Sequence, residues 1–176
     1  MALKGIALLV LIFVTNTLAA CPMYWTEFNG NCYLYVGTPA SNWKRAEEYC
    51  VNGGSHLASV HSKEEDDYIR DLWRMSRNEQ TFFLDALKEK VAPISVAPFV
   101  YIGLNDRAKE GTYEWTDGSP VDYVNWMRNN PSSDPALSGR EDGVFIWDRK
   151  NEGKWNDVRT KSPILIGPFI CKRPAI

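Results

Sequence analysis

The residues able to do chemistry in this 176-residue chain are four cysteines, two histidines and 22 acidic side chains. The histidines, His56 and His61, lie close together, and the chain holds no HExxH, CxxC or GxSxG. The usual zinc, thiol and serine-nucleophile arrangements therefore lack their parts. Paired carboxylates occur, but no pattern sets one as acid against another as base. An enzyme is not expected. Lys and Arg number 20 against the 22 acids, so there is no basic field to neutralise a phosphate backbone, and no nucleic acid partner is expected. What remains is binding through oxygen-bearing side chains. A hard cation such as Ca²⁺ takes six to eight oxygens, several from carboxylates, on a backbone irregular enough to converge them.

The compartment follows from the first twenty residues. Lys4, the apolar run Ile6 to Val14, and Thr17-Leu18-Ala19-Ala20 have the layout of an export signal, leaving 21–176 as one mature domain. The run is about half the roughly 20 residues a membrane span needs, so no membrane span is expected. Leu18-Ala19-Ala20-Cys21 also has the form of a lipoprotein box. Acylation of Cys21 would leave an odd thiol in oxidising surroundings, whereas four cysteines can pair. The chain is read as secreted, extracellular and disulfide-bonded.

The elements that must position any site are short. Cys21 to Tyr33 reads as a hairpin with Asn29-Gly30 as its turn. Ser41 is the expected N-cap of a helix burying Trp43, Ala46, Tyr49 and Cys50, ended by Gly53-Gly54. His56 to Val60 reads as a strand. Ser62 with Glu65 forms a capping box opening a helix that turns Tyr68, Ile69, Leu72, Trp73 and Met75 inward. Residues 76–98 read as an insertion of one short helix and a loop, broken by Pro93 and Pro98. Strands follow at 100–104, 144–147, 154–155 and 168–171, around a Pro/Ser/Asn-rich loop at 129–139. Helices early and strands late give an α+β class. The seven tryptophans read as core and loop anchors, and His56 and His61 as structural residues.

The opening CPxxWxxFxxxCY, the Trp43-to-Cys50 helix, HLASVHSKEE (56–65), YIGLND (101–106), YEWTDGSP (113–120), Asn125-Trp126, GREDG (139–143), KWND (154–157) and FICKRP (169–174) stand in one order. In that order they resemble the C-type lectin domain over essentially the whole mature chain. The resemblance implies two helices flanking small antiparallel sheets, with a long irregular loop region that binds Ca²⁺ and, through it, sugar. It also implies the pairs Cys21–Cys32 and Cys50–Cys171. Two further cysteines normal in the family are replaced here by Gly143 and Thr160, a coherent loss of both partners of one bridge.

By the same resemblance Glu141, Asn156 and Asp157 are calcium ligands around which a sugar is bound. The family completes that site with a Glu-Pro-Asn or Gln-Pro-Asp triplet. Counted from Trp126, the position holds Asn130-Pro131-Ser132; counted back from Glu141, it holds Asp134-Pro135-Ala136. The first is preferred, because the tryptophan anchors the loop ahead of any added residues, and it makes Asn130 and Ser132 the substitute ligands. The triplet then keeps its oxygens and loses one negative charge, which weakens affinity for the ion. A second, structural ion maps to Asp106, Glu110, Glu141 and Asp142, with Ser133 at its loop ligand. The expected partner is carbohydrate. The altered triplet, the absent bridge and the 76–98 insertion support an alternative, an interaction module that meets a protein or a mineral surface.

Overall fold

The structure, a computed structural model, describes residues 21–87, 98–132, 141–148 and 153–176. The expected export signal at 1–20, Ser133, and Asp134-Pro135-Ala136 lie outside the described residues. Strands β1 (Thr26–Phe28) and β2 (Asn31–Ser41) are followed by α1 (Trp43–Asn52), β3 (His56–Leu57) and α2 (Lys63–Leu87). Then come β4 (Phe99–Asn105), β5 (Glu114–Trp115), β6 (Gly143–Trp147), β7 (Lys154–Val158) and β8 (Gly167–Pro174). The ladders run β1-β2-β8-β4-β6-β7, with β3 on β8 and β5 on β4. All are antiparallel except the β4–β8 contact at Tyr101 and Phe169. Among the described residues no helix is long and apolar enough to cross a membrane.

Both faces of the central strands are buried, and strand periodicity divides them. Val100, Ile102 and Leu104 of β4, Val144 and Ile146 of β6, and Ile170 of β8 join one cluster with Ile69, Leu72 and Trp73 of α2. Their neighbours Phe99, Tyr101, Phe145, Phe169 and Cys171 join the other, with Trp43, Ala46 and Cys50 of α1. The two helices therefore flank the sheet. Disulfides link Cys21 to Cys32 and Cys50 to Cys171, the second across 121 residues, tying α1 to the last strand.

Several local details differ from the sequence expectation. The N-cap of α1 is Asn42, whose Oδ1 accepts from Arg45 N; Ser41 is still paired with Gly167 at the end of β2, so the chain leaves the sheet one residue later. Tyr49 and Met75 are exposed rather than inward. In the capping box Ser62 Oγ accepts from Glu65 N, but Glu65 Oε2 accepts from His61 N, not from the cap residue. Residues 76–87 continue α2 without a break, so the expected short separate helix is the end of a long one; 88–97 are outside the described residues.

Gly143 and Thr160 are each tied to the start of α1. A Cβ at Gly143 would stand 2.7 Å from Trp43 Cγ, closer than packed carbons approach, so only glycine lets the indole lie against β6. Thr160 C=O accepts from Lys44 N at 3.1 Å.

Candidate functional site

The expected ligands are delivered by β7 and the loops around it. Trp155, fully buried in β7, is pinned from α2: its Nε1 donates to Asp66 Oδ1 at 2.8 Å. Asp66 Oδ2 also accepts from Asn125 Nδ2 at 2.7 Å. Burial pushes the Asp66 carboxyl up, against these two donors, which favour its charge. Asn125 C=O accepts from Trp155 N, and Met127 N donates to Trp155 C=O. The long loop is thus clipped to β7 just before the Asn130-Pro131-Ser132 segment, whose Asn130–Pro131 bond is cis.

Three of the expected ligands meet directly. Ser132 N donates to Asp157 Oδ2 at 2.7 Å, and Ser132 Oγ donates to Glu141 Oε2 at 2.9 Å. Of the two triplet positions, 130–132 is therefore in contact with the acid pair. Asn156 Nδ2 donates to the Asp157 carbonyl at 2.8 Å. That carbonyl is used within the chain, and the amide oxygen is what Asn156 has left to offer. Asn130 is half-buried two residues before Ser132.

Asp157 and Asp106 are only 2% and 3% exposed, and in each Oδ1 is buried with no hydrogen-bond partner. Asp106 Oδ2 accepts from Gly111 N at 2.8 Å, and Asp106 N donates to Asp142 C=O. Burial is the main force pushing the carboxyls of Asp106, Asp157 and Glu141 upward. Each also feels another acid: Asp142 acts on Asp106, Asp106 on Asp157, and Asp157 on Glu141. Glu110 is exposed on the loop beyond β4. Among the described residues no group of three or more acidic, histidine or cysteine side chains is drawn together as a ready metal cage. The oxygens present nevertheless fit a hard cation by type, and the two unpartnered Oδ1 atoms are what such an ion would satisfy.

Two residues here carried no expectation. Tyr113 packs edge-on to Trp126 at 4.9 Å. Burial first, then Asp106, Asp157, Glu110 and Glu141, pushes its hydroxyl well above its usual range, so it stays a neutral donor amid acids. Arg159, two residues past Asp157, favours the ionised form of Glu141. Both flank quoted motifs, but nothing in their spacing announces a site. His56 and His61 are structural, bonded to Glu47 and to Asp122 and Ser59 respectively.

A continuous buried sheet between two helices, a Cys50–Cys171 staple and a Trp-anchored loop define a lectin-type domain. The sequence model of the Lectin C-type domain matches residues 39–173, and the chain belongs to that family, whose members bind rather than catalyse. It is 31% identical over 152 residues to the alpha-N-acetylgalactosamine-specific lectin of Patiria pectinifera, across 84% of this chain and 77% of that one. Echinoidin of Heliocidaris crassispina is 29% identical over 123 residues, 64% of this chain and 73% of its own. Among solved structures, a calcium-independent type II antifreeze protein superposes with TM-score 0.67 at 31% identity, covering 89% of this chain and 96% of that one. The C-type lectin CEL-I from Cucumaria echinata superposes with TM-score 0.66 at 27% identity, covering 86% and 96%.

Proposed function

We propose that this is a secreted carbohydrate-binding protein whose sugar site lies where Ser132 meets Glu141 and Asp157, with Ca²⁺ as the ion that completes it. The observation that carries the reading is the buried, unpartnered Oδ1 of Asp157 beside a residue triplet that reaches both acids. Glu141, Asp157, the Asn156 amide oxygen, Ser132 and Asn130 would hold the ion, and Asp106, Asp142, Glu110 and Glu141 a second one. When bound, such an ion supplies positive charge and open coordination positions for sugar hydroxyls. N-acetylgalactosamine is the first sugar to try, since a 31% identical relative is named for it.

The specific observation favouring a second reading is that Ser132 already donates to both acids. Those bonds partly satisfy the carboxylates from within the chain, as a calcium-independent lectin-like interaction module would need, and a 31% identical structural neighbour is calcium-independent. Chromatography on immobilised N-acetylgalactosamine and a wider glycan array separates the two. Retention in Ca²⁺, lost on chelation and in Asp157→Asn, is the expected result; retention indifferent to chelator supports the calcium-free module, and no retention on any glycan sinks the lectin reading.

A further inference from the structure

We infer that the loop between β7 and β8 forms a second subsite, which takes an anionic group, a sulfate ester or a carboxylate, carried by the glycan. This rests on the carbohydrate reading above and extends it. A cavity of 510 Å³ is lined by Arg159, Thr160, Lys161 and Ser162 on the loop and by Asp142 on the opposite wall. Asp142 directly follows Glu141, and Arg159 acts on the Glu141 carboxyl, so the cavity adjoins the proposed sugar site.

The loop is built to hold its cations outward. Thr160 and Ser162 are buried while Arg159 and Lys161 are exposed, an alternation that anchors every second residue. Thr160 C=O accepts from Lys44 N, Ser162 N donates to Arg159 C=O, and Leu165 N donates to Ser162 Oγ at 3.2 Å. Tyr101 Oη, from the buried sheet, donates to Leu165 C=O at 2.9 Å. A preorganised loop loses little freedom on binding. It presents two positive groups against the single carboxylate of Asp142, on a chain whose net charge is −2. A guanidinium matches the flat, two-oxygen face of a carboxylate or sulfate, and a nearby ammonium adds charge without fixed direction. A neutral glycan would gain nothing from either.

The test compares three forms of an N-acetylgalactosamine-terminated oligosaccharide: neutral, sulfated and sialylated. The expected result is that wild type in Ca²⁺ binds one or both charged forms roughly fivefold more tightly than the neutral form, a margin suited to exposed charge pairs. The margin should shrink as salt is raised. In R159Q/K161Q it should disappear, while affinity for the neutral form and the calcium-dependent rise in Tm are kept. A gain for only one charged form identifies which anion is taken. Equal affinity for all three forms in wild type, or a preference that survives in the double variant, overturns the subsite and leaves the carbohydrate reading standing. If no form is bound at all, the carbohydrate reading fails and the subsite falls with it.

Discussion

Two groups of buried acids in this molecule are treated in opposite ways. Glu65, at the start of α2, has every oxygen engaged: Oε1 accepts from Tyr33 Oη and Lys172 Nζ, each at 2.5 Å, and Oε2 from His61 N at 2.8 Å. Lys172 in turn donates to the carbonyl and hydroxyl of Ser59. Asp157 and Asp106 are as deeply buried, yet each keeps an oxygen without a partner. A buried polar atom left unmatched costs free energy, so a fold retains one only where something outside the chain can satisfy it. The first group closes the scaffold; the second leaves an opening at the end of β4 and β7.

Breaking the closed group should have the largest effect. In Glu65→Ala the Lys172 ammonium is left buried and unpaired, and Tyr33 and His61 lose their acceptor. A loss of about 3–5 kcal/mol is expected from denaturant unfolding. The calcium-dependent increment in stability should persist in whatever fraction folds, because none of these groups touches the loop acids. A loss of that increment would mean that the two regions are not separate.

Legibility in the sequence follows the same division. The hairpin turn at Asn29-Gly30, with φ of 48° and 73°, and the buried runs of β4 and β6 could be read because turn chemistry and hydrophobic pattern are local. The two disulfides came only from the resemblance, since no local rule pairs cysteines 121 residues apart. Expectation failed where a tertiary neighbour decides. Ser41 stays in β2 because Gly167 pairs with it, and Tyr49 faces solvent because the disulfide end of α1 takes the buried positions. In the site, the ligand types were legible and their convergence was not. That Ser132 bridges Glu141 and Asp157 depends on how the long loop is clipped to Trp155, which no spacing encodes. Tyr113 and Arg159 were missed for the same reason.

Closing the open group chemically is the next test, with an intermediate effect. Saturating Ca²⁺ should raise the stability of wild type by about 2.7 kcal/mol when the ion is at a hundredfold its Kd. Chelator should reverse this, as read by calorimetry. Asp157→Asn should abolish the increment while keeping metal-free stability close to that of wild type, because the change removes a charge that burial already disfavours. The contrast with Glu65→Ala is one of sign as well as size. Removing an engaged carboxylate destabilises, whereas removing an unengaged one costs little and takes away the response to the ion. If Asp157→Asn proves as damaging without metal as Glu65→Ala, then Asp157 belongs to the scaffold and the opening is not a ligand site.

The smallest effect is in pH, and it too should change direction with the ion. Burial raises the carboxyls of Glu141, Asp106 and Asp157 above their ordinary values in the folded chain, so the folded state holds these protons more tightly than the unfolded one. In chelator, stability should therefore rise as pH falls from 7 through those raised values, and stop rising once the unfolded carboxyls also protonate, near pH 4. With Ca²⁺ present the ionised forms are the ones the ion binds, protons compete with it, and acidification over the same range should lower stability. The histidine pairs His56–Glu47 and His61–Asp122 titrate nearby, so the quantity to follow is the difference in Tm between wild type and a Glu141→Gln/Asp157→Asn variant. That difference should have opposite pH slopes with and without Ca²⁺. A slope of the same sign in both would mean that Ser132 alone satisfies these acids, and that the opening at the end of β7 is filled from within the chain.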